Sequence, residues 1–219
     1  MLFRSYRDER GEPLPDLVVV GLLLTLIFAG QHTSAVLAAW TGILLHQHAA
    51  FLPPVLEELR RETGEKTTYE SLKALTVLER CIKEAERLQP PLIVLMRTVQ
   101  KPYRVNGFDL PVGSLALVSP AISHRLRELY SEPDRYDPER FAPGREEDRK
   151  APYSLIGFGG GKHRCIGMVF AYQQIKVIWT GIVRRIDVEL VEPQYQPDYR
   201  TLVVGPRQPC RIRYRRRRT

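Results

Sequence analysis

Residues Phe158 to Gly167 spell FGGGKHRCIG, and no other stretch constrains the fold of this chain as much. Gly159, Gly160 and Gly161 lack β-carbons, so the backbone there can pass through left-handed conformations and lie flat against a planar surface. His163 and Arg164 then bring positive charge next to Cys165. From Gly167 onward, Met168, Phe170, Ala171, Ile175, Val177 and Ile178 recur at roughly helical spacing, which predicts a helix beginning just after the cysteine. Cys165 is therefore expected near the free amide hydrogens of a helix N-terminus, a setting that stabilises a thiolate. Such a thiolate is a good iron ligand. The competing reading is a plain strand-to-helix turn around a buried cysteine.

The spacing Phe158-x-x-Gly161-x-His163-x-Cys165-x-Gly167 resembles the haem-binding loop of cytochromes P450. The resemblance implies that Cys165 is the axial ligand of a haem b iron, that His163 meets a haem propionate, and that Phe158, Gly159 and Gly167 contribute to the cofactor wall. Four further segments match as well. Ala29-Gly30-Gln31-His32-Thr33 resembles the small-Gly-x-acid-Thr motif of the family's distal helix, with His32 at the acid position, a form similar to the sterol 14α-demethylase branch. By that resemblance Gly30 lets the helix bulge over the iron, and Thr33 and His32 are catalytic, with Thr33 steering protons to bound oxygen. The alternative for His32 is a hydrogen-bonded core histidine.

Glu84 and Arg87 stand three apart in a helical stretch, a spacing that in isolation is worth only about 0.2–0.5 kcal/mol. Their position before Pro138-Glu139-Arg140-Phe141 resembles the family's buried Glu-x-x-Arg network, which implies that Arg140 is its third member and that the network holds the cysteine loop. Pro90 to Arg97 resembles the segment that enters the substrate cavity and ends on a haem propionate, giving Arg97 that role; an edge-strand arginine in solvent is the alternative. Phe28, Ala29, Leu92, Val94, Leu202 and Val203 are expected against the substrate, with plain strand core an equal reading for Leu202 and Val203.

The expected fold class is mainly α with small β-sheets, arranged as the C-terminal half of the cytochrome P450 fold. Residues 1–15 are polar and mixed in charge, a loop. Residues 16–47 form the long distal helix, with Asp16 as its cap. From Leu17 to Gly30 it is apolar or small on every face except Thr25, which suits either a helix buried on all sides or a membrane span. A span needs roughly 20 apolar residues, and Gln31-His32-Thr33-Ser34 interrupts this one. Val55 to Glu62 is expected as a short helix with Pro54 near its first turn. Residues 67–89 form the Glu-x-x-Arg helix, with a capping box at Thr67 and Glu70. Residues 92–119 contain strands at Leu92–Val99, Tyr103–Leu110 and Leu115–Ser119, with a hairpin turn at Asn106-Gly107. Residues 121–157 are an irregular meander, 158–184 the haem loop and its helix. Residues 186–214 carry short strands at Ile186–Val191, Thr201–Val204 and Arg211–Tyr214.

Three cysteines in 219 residues are too few and too irregular for a disulfide framework, so Cys81 and Cys210 are expected as packing residues in a reducing compartment. The net charge of +8 owes much to Arg211, Arg213 and the run Arg215 to Arg218, expected as a solvated tail, with no nucleic-acid partner. The resemblance implies a monooxygenase that uses O2, takes electrons from a ferredoxin or flavoprotein reductase, and acts on a sterol-like small molecule. It also implies that the family's N-terminal half is missing here, so a separate N-terminal half is a candidate partner. The expected location is cytoplasmic and soluble, of bacterial type, with membrane association left open. A non-catalytic haem-binding fragment, a P450 of another substrate class and a basic binding module are the alternatives.

Overall fold

The computed structural model describes residues 5–64 and 66–217. Met1 to Arg4 of the expected N-terminal loop, and Arg218 of the basic run, lie outside them. The organising element is α1, Asp16–Gln47, a single unbroken helix. Asp16 does not cap it: the flanking residue is Pro15, no side chain caps the first turn, and Asp16 stands within that turn, where its charge complements the helix dipole.

The second half of α1 is the spine of the core. Leu37, Trp40 and Leu45 are buried there, against α6, Met168–Arg185. The two helices meet at Gly42, where an added Cβ would lie 1.8 Å from the Trp179 ring. Only glycine permits that approach, and the Trp179 indole N–H donates to the Ala38 carbonyl at 2.8 Å.

Helix α2, Leu52–Glu62, begins slightly before the expected Pro54, with proline in its first turn. The helix expected over 67–89 is two helices, α3, Tyr69–Ala74, and α4, Thr76–Leu88. The capping box falls one residue later than expected: Thr68 accepts from the Ser71 N–H at 3.2 Å, and the Ser71 hydroxyl accepts from the Thr68 N–H at 2.9 Å. The break at Leu75 has a tertiary cause. Glu58, buried on α2, accepts from the Val77 and Leu78 amides at 2.7 and 3.0 Å, so α4 is capped by a residue far back in the chain rather than by its own flank. Leu75, Leu78 and Ile82 of this region, Val55 of α2 and Ile175 and Val183 of α6 complete the core around α1.

Among the described residues the sheets are three, each two-stranded and antiparallel. Strand β1, Leu95–Thr98, pairs with β4, Leu115–Val118. Strands β2, Tyr103–Val105, and β3, Phe108–Leu110, form the expected hairpin, with Asn106 and Gly107 both at positive φ, 48° and 84°, as a tight two-residue turn requires. Strand β5, Ile186–Leu190, pairs with β6, Ile212–Arg216. Thr201–Val204 is not a strand but a series of bends. Its backbone is used differently: the Val204 N–H donates to the Pro91 carbonyl at 2.8 Å, and the Val204 carbonyl accepts from the Trp40 indole at 3.2 Å. The meander holds only short helical turns, at Pro120–Ser123 (α5), Pro138–Phe141 and Glu147–Arg149.

Candidate haem-thiolate site

The site rests on a charged network, and Glu84, Arg87 and Arg140, all fully buried, make it. The Glu84 carboxylate accepts two bonds from Arg87, at 2.8 and 2.9 Å, one from Arg140 at 3.0 Å and one from the Asp137 amide at 2.8 Å. Two guanidiniums against one carboxylate would leave a buried charge, which is strongly unfavourable. Glu147 supplies the balance, accepting from Arg140 at 2.6 Å and from Arg145 at 2.9 Å. Burial raises the Glu147 pKa, but bonds from Ser131, Arg145 and Arg140 outweigh it and bring the value to about 2. Arg87 also donates to the carbonyls of His124, Pro133 and Arg135, so one side chain gathers three points of the meander.

His124 carries this order to the cysteine loop. Its Nδ1 meets the Arg87 carbonyl at 3.2 Å and its Nε2 accepts from the Ile156 N–H at 2.9 Å, a pairing that requires the neutral ring. Burial, first among its causes, holds the His124 pKa down at about 4. The Ile156 carbonyl then accepts from the Gly159 N–H, and the Phe158 carbonyl from the Cys165 N–H, both at 2.8 Å. Gly159 and Gly161 have φ of 71° and 60°, so the expected left-handed passages are present at two of the three glycines. Cys165 is exposed and lies just ahead of Gly167, the N-cap of α6. A Cβ on Gly167 would stand 3.8 Å from its sulfur. Cys81 is buried with its thiol pushed up to about 12 by that burial, and Cys210 is half-buried.

Between this loop and α1 lies a cleft of about 360 Å³. It brings together Ala29 and Thr33 of α1, Leu92 and Arg97, and Phe158, Gly159, His163 and Cys165 of the loop. Thr33 donates its hydroxyl to the Ala29 carbonyl at 2.8 Å. Ser34, Leu37, Glu86, Pro91, Leu95, Gly157 and Ala171 line the same cleft, and sequence reasoning did not single them out. For Leu37 and Ser34 the signal was available, since they follow Thr33 and Gly30 respectively by four residues on the helix; for Glu86 and Gly157 it was not. His32, Phe28, Val94 and Leu202 are exposed and outside the lining; Gly30 and Gly167, half-buried, also lie outside it. Gly30 lies within an unbroken helix. Val203 is partly buried against Val36, Trp40, Ile43 and Tyr195, one residue from the bond that ties this turn to Pro91.

The donor set fits a haem. An exposed thiol faces an apolar cleft, glycine backbone forms one wall, α1 the opposite wall, and Arg97 and His163 offer nitrogen donors for carboxylates in the same space.

The cytochrome P450 family model matches residues 1–212, and the chain belongs to that family. Its similarity to individual members is more specific. It is 42% identical to the sterol 14-demethylase of Arabidopsis thaliana over 97% of this chain and 45% of that protein. It is 38% identical to the lanosterol 14-alpha demethylase of Homo sapiens, over 99% of this chain and 43% of that protein. The sterol 14alpha-demethylase of Mycolicibacterium vanbaalenii is also 38% identical, over 97% of this chain and 48% of that protein. Among solved structures, the retinoic acid bound cyanobacterial CYP120A1 superposes with a TM-score of 0.90 at 27% identity, over 98% of this chain and 50% of that one. The chain thus spans about half the length of the curated relatives it matches.

Proposed function

We propose that this chain carries the haem-thiolate half of a monooxygenase that removes the 14α-methyl group of a sterol. The observation that carries the reading is the single cleft in which Cys165, Thr33, Arg97 and His163 converge, in a chain of the P450 family. Bound haem b would supply the oxygen-activating chemistry, with O2 as co-substrate and electrons from a ferredoxin or flavoprotein reductase. Cys165 would hold the iron of that haem through its thiolate and supply electron density to it. Arg97 and His163 would bind the propionates and so orient the ring.

Thr33 handles protons: its hydroxyl, at present donated to Ala29, can turn into the cleft and hold a proton for transfer. His32, at the motif's acid position but exposed, would assist only by drawing protons from solvent. Ala29, Leu92 and Leu37 give the substrate an apolar surface, from which such pockets gain most of their affinity. A separate N-terminal half would close the remaining walls. A different large apolar substrate is the second reading, favoured by the likeness to a structure that holds retinoic acid.

The test uses the chain completed with an N-terminal half. Cys165→Ser is expected to abolish the thiolate band of the reduced carbon monoxide complex, and Cys81→Ser to leave it intact. Persistence of the band without Cys165 would remove the central assignment. Thr33→Ala is expected to lower product formed per oxygen consumed. Binding of a 14α-methyl sterol in preference to a retinoid separates the two substrate readings.

A further inference from the structure

The cysteine-side cleft shares a wall with a second one of about 500 Å³, and Glu86 lines both. It is the immediate neighbour of Arg87, yet it takes no part in the buried network; its carboxyl accepts from the Tyr172 hydroxyl on α6 instead. Glu86 is only 2% exposed. Opposite it, an added Cβ on Gly157 would lie 2.5 Å from Glu86 Oε1 and 2.6 Å from Cγ. Only glycine lets the backbone rest on that carboxyl. The next residue, Phe158, has its ring 5.6 Å from the Tyr172 ring, and its carbonyl accepts the Cys165 N–H.

A carboxyl in so buried a position is costly unless it is bonded. Burial is the main reason its pKa is pushed up to about 7, with the Tyr172 hydroxyl, Lys83 and the Gly157 amide acting in the opposite sense.

We propose that Glu86 is a positioning residue for the cysteine loop: clamped by the Tyr172 hydroxyl, its carboxyl seats the Gly157 backbone and, through Phe158, fixes where Cys165 presents its sulfur. What that sulfur then holds rests on the haem reading above; the tie itself does not.

Amide hydrogen exchange on the purified full chain, in whatever assembly it adopts, reads the tie directly. Glu86→Leu and Tyr172→Phe are each expected to speed exchange at the Cys165 amide about tenfold, as local opening becomes easier. Glu86→Gln keeps the shape and an acceptor and is expected to restore most of the protection. Unchanged exchange in Tyr172→Phe and Glu86→Leu, or a Gln variant no better than the Leu variant, overturns the proposal. If Glu86→Leu does not fold, Tyr172→Phe decides, because it removes a single oxygen. In the haem-loaded protein completed with an N-terminal half, the thiolate band is expected to broaden in the Leu and Phe variants and hold in the Gln variant. An exchange response as expected, with no thiolate band even in the parent, supports the tie and defeats the haem reading instead.

Discussion

The two halves of α1 are alike in composition and opposite in surroundings. Leu17 and Phe28 are 83% and 85% exposed, while Leu37 and Trp40 are 1% exposed and Leu45 is fully covered. Both halves are apolar around the helix, the pattern of a helix that must be covered on every side. The second half is covered because α4, α6 and the turn at Val204 reach it; among the described residues nothing comparable lies on the first. An apolar helix specifies that it needs partners, and the rest of the fold determines where they are.

The largest effect should come from the charged network packed beside the covered half. Arg140→Ala leaves Glu84 and Glu147 short of a buried partner and is expected to cost about 3–5 kcal/mol, read from chemical denaturation. A loss of under about 1 kcal/mol, the size of a surface pair, would mean that water reaches the network.

Paired leucines divide the two halves more directly. Leu45→Ala is expected to cost about 2–5 kcal/mol, whereas Leu24→Ala should change stability by no more than about 0.5 kcal/mol. The chain by itself is expected to self-associate through the first half and to hold haem weakly, and Leu24→Ser with Ile27→Ser should reduce that association in analytical ultracentrifugation. Equal stability losses at Leu24 and Leu45 would erase the distinction between the halves, as would a monodisperse monomer with tightly held haem.

Glycines sharpen the contrast further. Gly42→Ala drives a Cβ into Trp179 and should cost about 1–3 kcal/mol. Gly21→Ala, with nothing within 4 Å, should stabilise the helix by up to about 1 kcal/mol.

The smallest effect is a slope. His124 has its pKa lowered from 6.5 to about 4. Between those values the unfolded chain takes up a proton that the folded one refuses, so stability rises with pH across that window. Glu86 is raised from 4.5 to about 7; there the folded chain keeps a proton that the unfolded one has released, and stability falls as pH rises. The two oppose one another over the shared range. Glu86→Gln removes the second, and denaturation midpoints at both ends of that range should then show a clearer rise with pH, bounded by about 1.4 kcal/mol per pH unit for one proton. Identical profiles in parent and variant would show that Glu86 does not titrate as its burial demands.

Much of the fold and part of the site were legible in the sequence, for local reasons. A long apolar run located α1 and helical periodicity α4 and α6; Asn106-Gly107 set the hairpin; and the glycine loop, Glu84, Arg87 and Arg140 were found by spacing and resemblance together. What was not legible depends on partners distant along the chain. The break at Leu75 depends on Glu58 reaching the α4 amides, and Thr67 and Glu70 gave no hint of it. Glu147 stands in a stretch crowded with charge, where no pattern marks the one carboxylate that turns inward. His32 occupies the motif's acid position, yet the helix turns it to solvent while Thr33 and Ser34 turn toward the cleft. Leu202 faces outward because the segment around it bends instead of pairing as a strand.

The Trp40 indole finds its acceptor at Val204, a separation of 164 residues. Chains are synthesised from the N-terminus at about 5–20 residues per second, so α1 emerges long before the residues that complete its packing. Trp179 arrives first to fill the space at Gly42, and only afterwards does the turn at Val204 hang on Pro91 and close over Trp40. Contacts this distant in sequence form slowly. For that interval the nascent chain exposes both halves of α1, so a helix built well ahead of its partners is one in need of protection from aggregation on the ribosome.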